Sequence, residues 1–377
     1  MVKRKKKSKG RVIAKVVAVV IFLLILYMFL PTIKNLVEHP PSLESMEIPA
    51  KMTFKFERVI NIEASGKYTL NITVPYNNQF QNVQVKDLSG LKKSVIKEYN
   101  KTLWQYNLSG SSKITLLYQG TVVAKVWNIK DSLGVNAIPK SLKEQYNHNE
   151  SIKVYDRQMH QYVTKTVITP SAFKEVTEKY TKNDTTVLEK LRTIYNIIVE
   201  NFRYNSERSG APNTAIQTWN NRYGDCDELS FVFVSMARSI GIPAWVEYGL
   251  VYVQGTWGPH AWIGTVVPTK NGLIRVNIDT TEEVGHKNIY YIGFLKRGAD
   301  RITEWVDDGN SQHLNAFYSF IRGYYSNLQY SEKINVFYAN QTGTINIPVP
   351  GSQFPSWLVL FIIAIVILAI FIIIIRF

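Results

Sequence analysis

The stretch YGDCDELSFVFVSMARSIGIPAW, residues 223–245, constrains the fold more than any other part of the chain. Its apolar residues recur at three- and four-residue spacing, which is typical of one buried helix face; they are Leu229, Val232, Phe233, Met236, Ala237 and Ile240. Asp225 is suited to cap the start, and Gly241, with a proline two residues later, is suited to stop the end. We therefore predict a helix from about Cys226 to Ile240, with the chain's single cysteine in its first turn.

A thiol at a helix N-terminus can be chemically active, because the unpaired N–H groups and the helix dipole stabilise a thiolate. The carboxylates of the DCDE sequence around Cys226 oppose this effect, so a reactive thiol needs a base nearby. His260 in GPHAWIGTVV and Asp279 in LIRVNIDTT follow in an order that lets imidazole activate sulfur and carboxylate orient imidazole. A lone cysteine is more often a small buried residue, and the spacing alone leaves both interpretations open.

Three short blocks carry a resemblance to a known family: GDCDELSFVFVSMARSIGIPAW, HAWIGTVV and VNIDTT. Together, over roughly residues 184–281, they resemble the core of the transglutaminase-like family, whose fold is papain-like. The resemblance implies that Cys226 is the nucleophile, His260 the general base and acid, and Asp279 the orienting carboxylate. The family contains cross-linking enzymes, peptidases, other amide-processing enzymes and inactive relatives, so the reaction itself stays open.

Three runs with period-two alternation follow the cysteine helix and predict consecutive antiparallel strands: VEYGLVYV, HAWIGTVV and LIRVNIDTT. We expect His260 to lie directly opposite Asp279, which requires a loop over residues 268–271. A two-residue turn at Asn271 and Gly272 would instead slide the aspartate out of hydrogen-bond range. Pro268 would interrupt a strand ladder and therefore favours the longer loop.

Both ends of the chain indicate a membrane protein. The first eleven residues contain seven basic residues and no acidic one, ahead of an apolar run, which favours a cytoplasmic anchor at anionic lipid over nucleic-acid binding.

Residues 12–30 and 356–376 are apolar enough to span a bilayer. The first span is predicted as a retained anchor rather than a cleaved signal peptide, because it lacks a small-residue cleavage site. Both termini would then face the cytoplasm, with the main domains outside the cell membrane. Six Asn-x-Ser/Thr sequons all lie between the two spans and give this topology weak support.

The predicted fold class is α+β, with a papain-like core in which the cysteine helix packs on an antiparallel sheet. Short β-rich runs separated by Gly, Asn and Ser turns predict an all-β, sandwich-like domain before it. Further helices are expected over residues 171–180, over 186–202 with capping-box spacing at Thr186 and Glu189, and over 313–328. The predicted order is a basic tail 1–11, a span 12–30, a juxtamembrane spacer 31–50, a sandwich-like domain 51–130, a connecting region 131–170, a transglutaminase-like domain 171–330, an exposed linker 331–355 and a second span 356–376.

No cofactor and no metal site is predicted. The histidines are scattered, a single cysteine cannot form a thiolate cluster, and VDDGNS, residues 306–311, is better explained as a turn or helix cap than as a calcium site. Apart from the backbone N–H of Cys226, the side chains of Gln217 and Trp219 are candidate oxyanion donors.

The predicted function is an extracytoplasmic, membrane-anchored cysteine enzyme that acts on peptide or carboxamide bonds through an acyl-thioester. Hydrolysis is favoured over cross-linking. The expected partners are the lipid bilayer and a protein or peptide-containing envelope substrate, with no nucleic acid, and the oligomeric state is left open. The competing prediction is an inactive surface protein of the same fold that serves as a binding module or scaffold.

Overall fold

The structure is a computed structural model that describes residues 45–98, 101–156, 161–205, 211–285, 292–318 and 320–348. Residues Glu47–Ile347 form one compact unit. The basic tail 1–11 and the two predicted spans, 12–30 and 356–376, lie outside the described residues. Among the helices in the described ranges, none combines the length and the apolar character that a membrane crossing needs.

The described elements comprise both helices and strands. The helices are α1 (Lys140–Tyr146), α2 (Pro170–Tyr180), α3 (Val187–Asn201), α4 (Ala215–Asn221), α5 (Cys226–Ser239) and α6 (Ser311–Tyr318), with 3-10 turns at Val135–Ala137 and Thr280–Glu282. The strands are β1 (Ser45–Val74), β2 (Gln81–Asp87), β3 (Lys93–Glu98), β4 (Lys101–Ser109), β5 (Ser112–Val123), β6 (Lys125–Val126), β7 (Glu150–Asp156), β8 (Gln161–Ile168), β9 (Arg203–Tyr204), β10 (Tyr223–Gly224), β11 (Ala244–Val253), β12 (Thr256–Thr269), β13 (Gly272–Ile278), β14 (Lys296–Arg297), β15 (Arg301–Val306) and β16 (Ile321–Pro348).

The region predicted as a sandwich-like domain, 51–130, contains most of a six-stranded sheet in the order β2-β5-β1-β4-β3, with β16 also on β1. The first part of β1 pairs with β5 and its last part pairs with β4, both antiparallel. Gly66 and Gly110 lie where the partner changes, and their positive φ values of 109° and 66° suit glycine. Buried side chains from both parts of β1 belong to one apolar cluster. The two parts of the sheet therefore share a common core.

The C-terminal end of the sheet corrects two sequence predictions. Residues 313–328 were expected to form a helix and 331–355 an exposed linker, but α6 ends at Tyr318 and residues 321–348 form β16. The Arg58 side chain on β1 reaches Glu332 on β16 with a 2.9 Å contact. β16 forms because it pairs with the edge of β1, whose N–H and C=O groups supply its hydrogen bonds. Local sequence preferences do not reveal such a distant partner. The same sheet begins at Ser45, inside the predicted spacer 31–50.

Helix α5 is the centre of the second part of the fold and matches the predicted helix. The side chain of Asp225 accepts a hydrogen bond from the Glu228 backbone, which caps the helix start, and Gly241 has the left-handed φ of 83° expected of a stop. Helices α2, α3 and α4 pack against it, together with β11 and β12. The predicted capping box between Thr186 and Glu189 starts α3. A helix packed on an antiparallel sheet, as predicted, therefore forms the core.

The four-stranded sheet beside α5 has the order β13-β12-β11-β15 and corrects the predicted register. Thr269 pairs with Gly272, so the turn between β12 and β13 has only two residues, and Asp279 follows the ladder one position beyond Ile278, which pairs with Ile263. The predicted longer loop is wrong because Pro268 lies inside the ladder. Its only polar backbone group, the carbonyl, accepts a hydrogen bond from the Leu133 backbone at 2.7 Å and so points away from β13.

The six-stranded sheet packs directly on this core. The ring of Trp257 lies 5.0 Å from that of Phe54 and 5.2 Å from that of Phe56, all within one buried cluster. The Gln81 side chain donates to the Thr303 carbonyl and accepts from the Thr303 backbone N–H, each at 2.8 Å. These contacts hold the six-stranded sheet against β15. The sheet and the helix-containing core can therefore line a cavity together.

Candidate active site

The predicted histidine and aspartate meet on β12 and just beyond β13. Nε2 of His260 lies 2.8 Å from Oδ2 of Asp279, which is hydrogen-bond distance. The two residues are diagonal rather than opposite in the ladder, and diagonal neighbours on one face of a sheet remain within reach of long side chains. A carboxylate partner at Nε2 favours the tautomer that carries its proton there. Nδ1 is then the nitrogen that can accept a proton.

Asp279 is held as an anion. Its Oδ1 accepts hydrogen bonds from the Thr281 backbone at 2.9 Å and hydroxyl at 2.6 Å. Nη1 of Arg301 forms an ion pair with Oδ2 at 2.7 Å. Burial by itself would raise the pKa of Asp279, but the Arg301 cation and His260 outweigh it and hold that pKa well below its usual range. The aspartate can therefore stabilise a protonated imidazole without taking up the proton itself.

Sequence reasoning did not find Arg301. This residue starts β15, which pairs with the far edge of β11, and the arginine also forms an ion pair with Glu282. Lys296 contacts the same glutamate. No periodicity or motif in the sequence marks this arginine, because it reaches Asp279 only after β15 has paired with β11.

Cys226 lies in the first turn of α5, half-buried, and lines the same cavity as His260. The backbone N–H of Ala261, the residue after His260, lies close enough to the sulfur to favour the thiolate and lower its pKa in part. The structure thus brings the thiol beside β12 at the level of the imidazole. Among the residues predicted for the site, Cys226, His260 and Asp279 are brought together.

The pKa of Cys226 is set by burial and the neighbouring carboxylates rather than by the helix N-terminus. Burial first, then Asp227 and Asp225, which the sequence already marked as opposing the helix, raise the pKa of the thiol well above that of a free cysteine. The N–H of Ala261 opposes this only in part. The resting residue is therefore a neutral thiol, and a base must act during the reaction.

An acidic cluster adjoins the thiol. The Tyr318 hydroxyl donates to Oδ2 of Asp227 at 2.5 Å and lies 3.0 Å from the Tyr248 hydroxyl. Burial, and next the contact with Asp225, raise the pKa of Asp227 well above its usual range. Oδ1 of Asp227 is buried and accepts no hydrogen bond from the described residues. A protonated Asp227 that donates to Asp225 accounts for both observations.

The cavity has a volume of about 640 Å³ and is bounded by both parts of the fold. The core contributes the thiol, the imidazole and an aromatic surface of Tyr248, Trp305, Phe317 and Tyr318; the six-stranded sheet contributes apolar residues and cations, including Ile60, Leu70, Leu103, Arg58 and Lys101. Apolar surface with a few polar groups is typical of a ligand site.

The predicted oxyanion side chains do not line this cavity. Gln217 accepts from the Thr214 backbone at 2.9 Å and so caps α4. Trp219 packs its ring against Phe173, 5.6 Å between ring centroids. Tyr204, which sequence reasoning missed, does line the cavity, and burial and then Cys226 raise the pKa of its hydroxyl. The Tyr204 hydroxyl is therefore a further hydrogen-bond donor in the cavity that Cys226 also lines.

The predicted turn at 306–311 is a helix cap. Asp308 contacts Nδ1 of His313 at 2.6 Å, and Asn310 accepts from the Gln312 backbone at 2.9 Å at the start of α6. Asp307 pairs with Arg238 at 3.2 Å. Within the described ranges, no group of three His, Cys, Asp or Glu side chains could hold a metal ion.

Comparison with known proteins agrees with this architecture. Residues 174–278 match the transglutaminase-like superfamily, so the chain contains a transglutaminase-like domain. No curated protein sequence matches the chain. A crystal structure of an inferred cysteine protease from Cytophaga hutchinsonii is 13% identical with a TM-score of 0.54, and the match covers 79% of this chain and 95% of that one. At this identity the likeness is one of fold.

Two further structures match with lower scores. The periplasmic domain of TgpA from Pseudomonas aeruginosa is 10% identical with a TM-score of 0.30, over 63% of this chain and 88% of that one. The transglutaminase of red sea bream is 10% identical with a TM-score of 0.28, over 68% of this chain and 52% of that one.

Proposed function

We propose that this protein is a cysteine hydrolase that cleaves peptide or carboxamide bonds through an acyl-thioester on Cys226. The observation that carries the proposal is the 2.8 Å contact between His260 and Asp279 in a cavity that Cys226 also lines. The transglutaminase-like match over residues 174–278 supports the same chemistry.

The first half of the reaction forms the thioester. Nδ1 of His260 takes the proton of the Cys226 thiol as the sulfur bonds to the carbonyl carbon of the substrate. The C–N bond of the resulting tetrahedral intermediate then breaks, and the imidazolium gives its proton to the leaving amine. A neutral resting thiol fits this sequence, because the base acts when substrate is present rather than on a preformed thiolate.

The second half consumes the thioester. His260 takes a proton from a water molecule, whose oxygen attacks the thioester carbonyl, and the C–S bond breaks to give a carboxylic acid and the thiol. Water can reach the rim of the site, since Tyr204 beside the thiol is 45% exposed. Hydrolysis is therefore the route that we propose, and transfer of the acyl group to a second amine is the alternative. Neither route needs a cofactor.

The proposed location is the outer face of a cell membrane. Support comes from sequence: the basic residues before position 12, the apolar runs at 12–30 and 356–376, and the sequons between them. The chain's single cysteine offers a direct test. A membrane-impermeant maleimide should label Cys226 on intact cells as completely as in lysed cells; labelling only after lysis would place the domain inside.

The catalytic proposal is tested by acyl trapping. The full-length chain is mixed with p-nitrophenyl acetate, an activated ester that acetylates a competent thiol, and intact-mass and peptide analysis locate the acetyl group. Wild-type protein should acetylate at Cys226 and release acetate with time, whereas Cys226→Ala should show no acetyl group at that position. His260→Ala should slow acetylation by at least about 10²-fold, since it removes the base.

The matched control is His148→Ala. His148 is exposed on a loop outside the cavity, so its loss should leave the rate unchanged. If His260→Ala and His148→Ala acetylate alike, His260 is not the base, and the competing proposal of an inactive binding or scaffold protein gains support. Addition of a fluorescent primary amine then separates the two enzymatic routes, because only a cross-linker would divert most of the acetyl group from water to the amine.

A further inference from the structure

The cavity contains a cation that the proposed reaction does not use. Lys101, at the start of β4, lines the cavity wall supplied by the six-stranded sheet. Its ammonium lies 3.4 Å from the centroid of the Trp305 ring on β15. This contact crosses from one part of the fold to the other and sets the position of the charge.

Lys101 differs from the other cations that line the cavity. Arg58 contacts Glu332 at 2.9 Å, and His313 contacts Asp308 at 2.6 Å. His260 contacts Asp279. Within the part of the chain that the structure describes, no carboxylate lies within ion-pair distance of the Lys101 ammonium.

The nearby acids are already engaged. Asp308 and Asp307 favour the charged form of Lys101, but Asp307 is paired with Arg238 at 3.2 Å and Asp308 with His313. Burial is the larger effect and lowers the pKa of Lys101 to about 7. The charged form of Lys101 is thus costly in a largely apolar cavity, and an incoming anion would offset that cost.

An aromatic surface connects this cation with the thiol. The Trp305 ring stacks on Phe317, 4.9 Å between centroids, and Tyr248 lies 5.1 Å from Trp305. The Tyr248 hydroxyl contacts that of Tyr318, which donates to Asp227, the residue after Cys226. A ligand that spans from Lys101 to the sulfur would therefore lie along aromatic rings.

We propose that Lys101 binds a carboxylate of the acyl donor, and that the aromatic surface holds an apolar segment between that carboxylate and the carbonyl that Cys226 attacks. The inference rests on the proposed function, since it assumes that the thiol takes the acyl group. It narrows the substrate class to peptides or amides with an anionic group beyond an apolar stretch. The carboxylate could belong to the end of a peptide or to an acidic side chain.

The test uses thiol-reactive probes that carry the relevant groups. The full-length chain is treated with iodoacetyl-alanine peptides of increasing length, each ending either in a free carboxylate or in a carboxamide, and alkylation of Cys226 is followed by mass spectrometry. At one length the acid should react faster than the amide by on the order of tenfold, the effect expected of a charged hydrogen bond. An amidated peptide with one glutamate side chain identifies the source of the carboxylate.

Two substitutions tie the preference to Lys101. Lys101→Met keeps an apolar chain of similar length and should bring the acid-to-amide rate ratio to about one at every length, while Lys101→Arg keeps the charge and should retain the preference. An unchanged ratio in Lys101→Met overturns the inference and leaves the proposed function standing. Failure of every probe to alkylate native wild-type Cys226 overturns both.

The pH dependence gives a check that needs no variant. Since the pKa of Lys101 is lowered to about 7, the ammonium is present below that pH and lost above it, so the acid-to-amide ratio should fall between about pH 6 and about pH 8.5. Thiol titration affects both probes equally and cancels. Asp307 and Asp308 beside β15 and His313 on α6 also face this position, so the same titration of Lys101→Met must be flat; a parallel fall there would overturn the assignment to Lys101.

Discussion

Two aspartates next to the reacting groups are charged differently: Asp279 contacts His260, and Asp227 follows Cys226 in the chain. Asp279 beside His260 has a pKa well below its usual range, because the Arg301 cation and the imidazole outweigh burial. Asp227 beside Cys226 has a pKa well above it, because burial and the neighbouring Asp225 act in the same direction. The comparison shows that the neighbouring group determines the charge of a buried carboxyl group. A neighbouring cation favours the anion, whereas a neighbouring acid favours the neutral form.

The comparison also assigns different roles. A permanent anion on the histidine side can stabilise the imidazolium that forms when the thiol gives up its proton. A neutral acid on the thiol side avoids placing a second negative charge against the developing thiolate.

The largest effect is expected from Asp279→Asn. The amide keeps the shape but removes the anion and favours the wrong imidazole tautomer, so acetylation of Cys226 by p-nitrophenyl acetate should slow by on the order of 10³-fold. Asp131→Asn makes the same chemical change at a position that does not line the cavity and should leave the rate unchanged. Equal rates for the two variants would contradict the role of the anion.

A smaller, pH-dependent effect is expected from Arg301→Met. The wild-type pKa of Asp279 is lowered, so its anion survives as pH falls through the ordinary carboxyl range; without the arginine, burial raises that pKa and the anion is lost at higher pH. The variant-to-wild-type rate ratio should therefore fall as pH drops from about 8 to about 5, with Arg301→Lys restoring part of it.

The same variant leaves Asp279 and Glu282 without their shared cation and should lower the free energy of unfolding by about 3–5 kcal/mol. Thermal melts must therefore accompany the rates. Arg275→Met, at an exposed position on β13, is the matched control. A ratio that stays constant across pH would mean that Arg301 acts on structure alone.

The smallest effect is expected from Asp227→Asn, because it replaces a neutral acid with a neutral amide. At neutral pH, where Asp227 is protonated, the rate of alkylation of Cys226 by iodoacetamide should therefore change by less than about threefold. Asp225→Asn can still cap α5 but removes a carboxylate that raises the thiol's pKa, so it should accelerate alkylation more. A tenfold faster alkylation of Asp227→Asn at neutral pH would show that Asp227 is charged. It would then contradict the contrast between Asp227 and Asp279.

Sequence patterns predicted the core well where the signal is local. The apolar spacing before Gly241 marks α5, and alternation marks β11 to β13, since each pattern depends only on which face of an element is buried. The predicted register between β12 and β13 is wrong by two positions, because a two-residue turn joins the strands and Pro268, whose carbonyl faces outward, stays inside the ladder. Strand β16 was missed because its partner, β1, is far away in sequence.

By itself, the sequence determined that a lone cysteine begins a buried helix and that a histidine and an aspartate follow it on neighbouring strands. Only the tertiary structure decided that Arg301 holds the aspartate, that the resting thiol is neutral, and that Lys101 from another part of the chain shares its cavity. The physical reason is that helices and strands follow the spacing of nearby residues. Charge in a cavity depends instead on burial and on Coulomb interactions through space, which exist only after distant segments have packed.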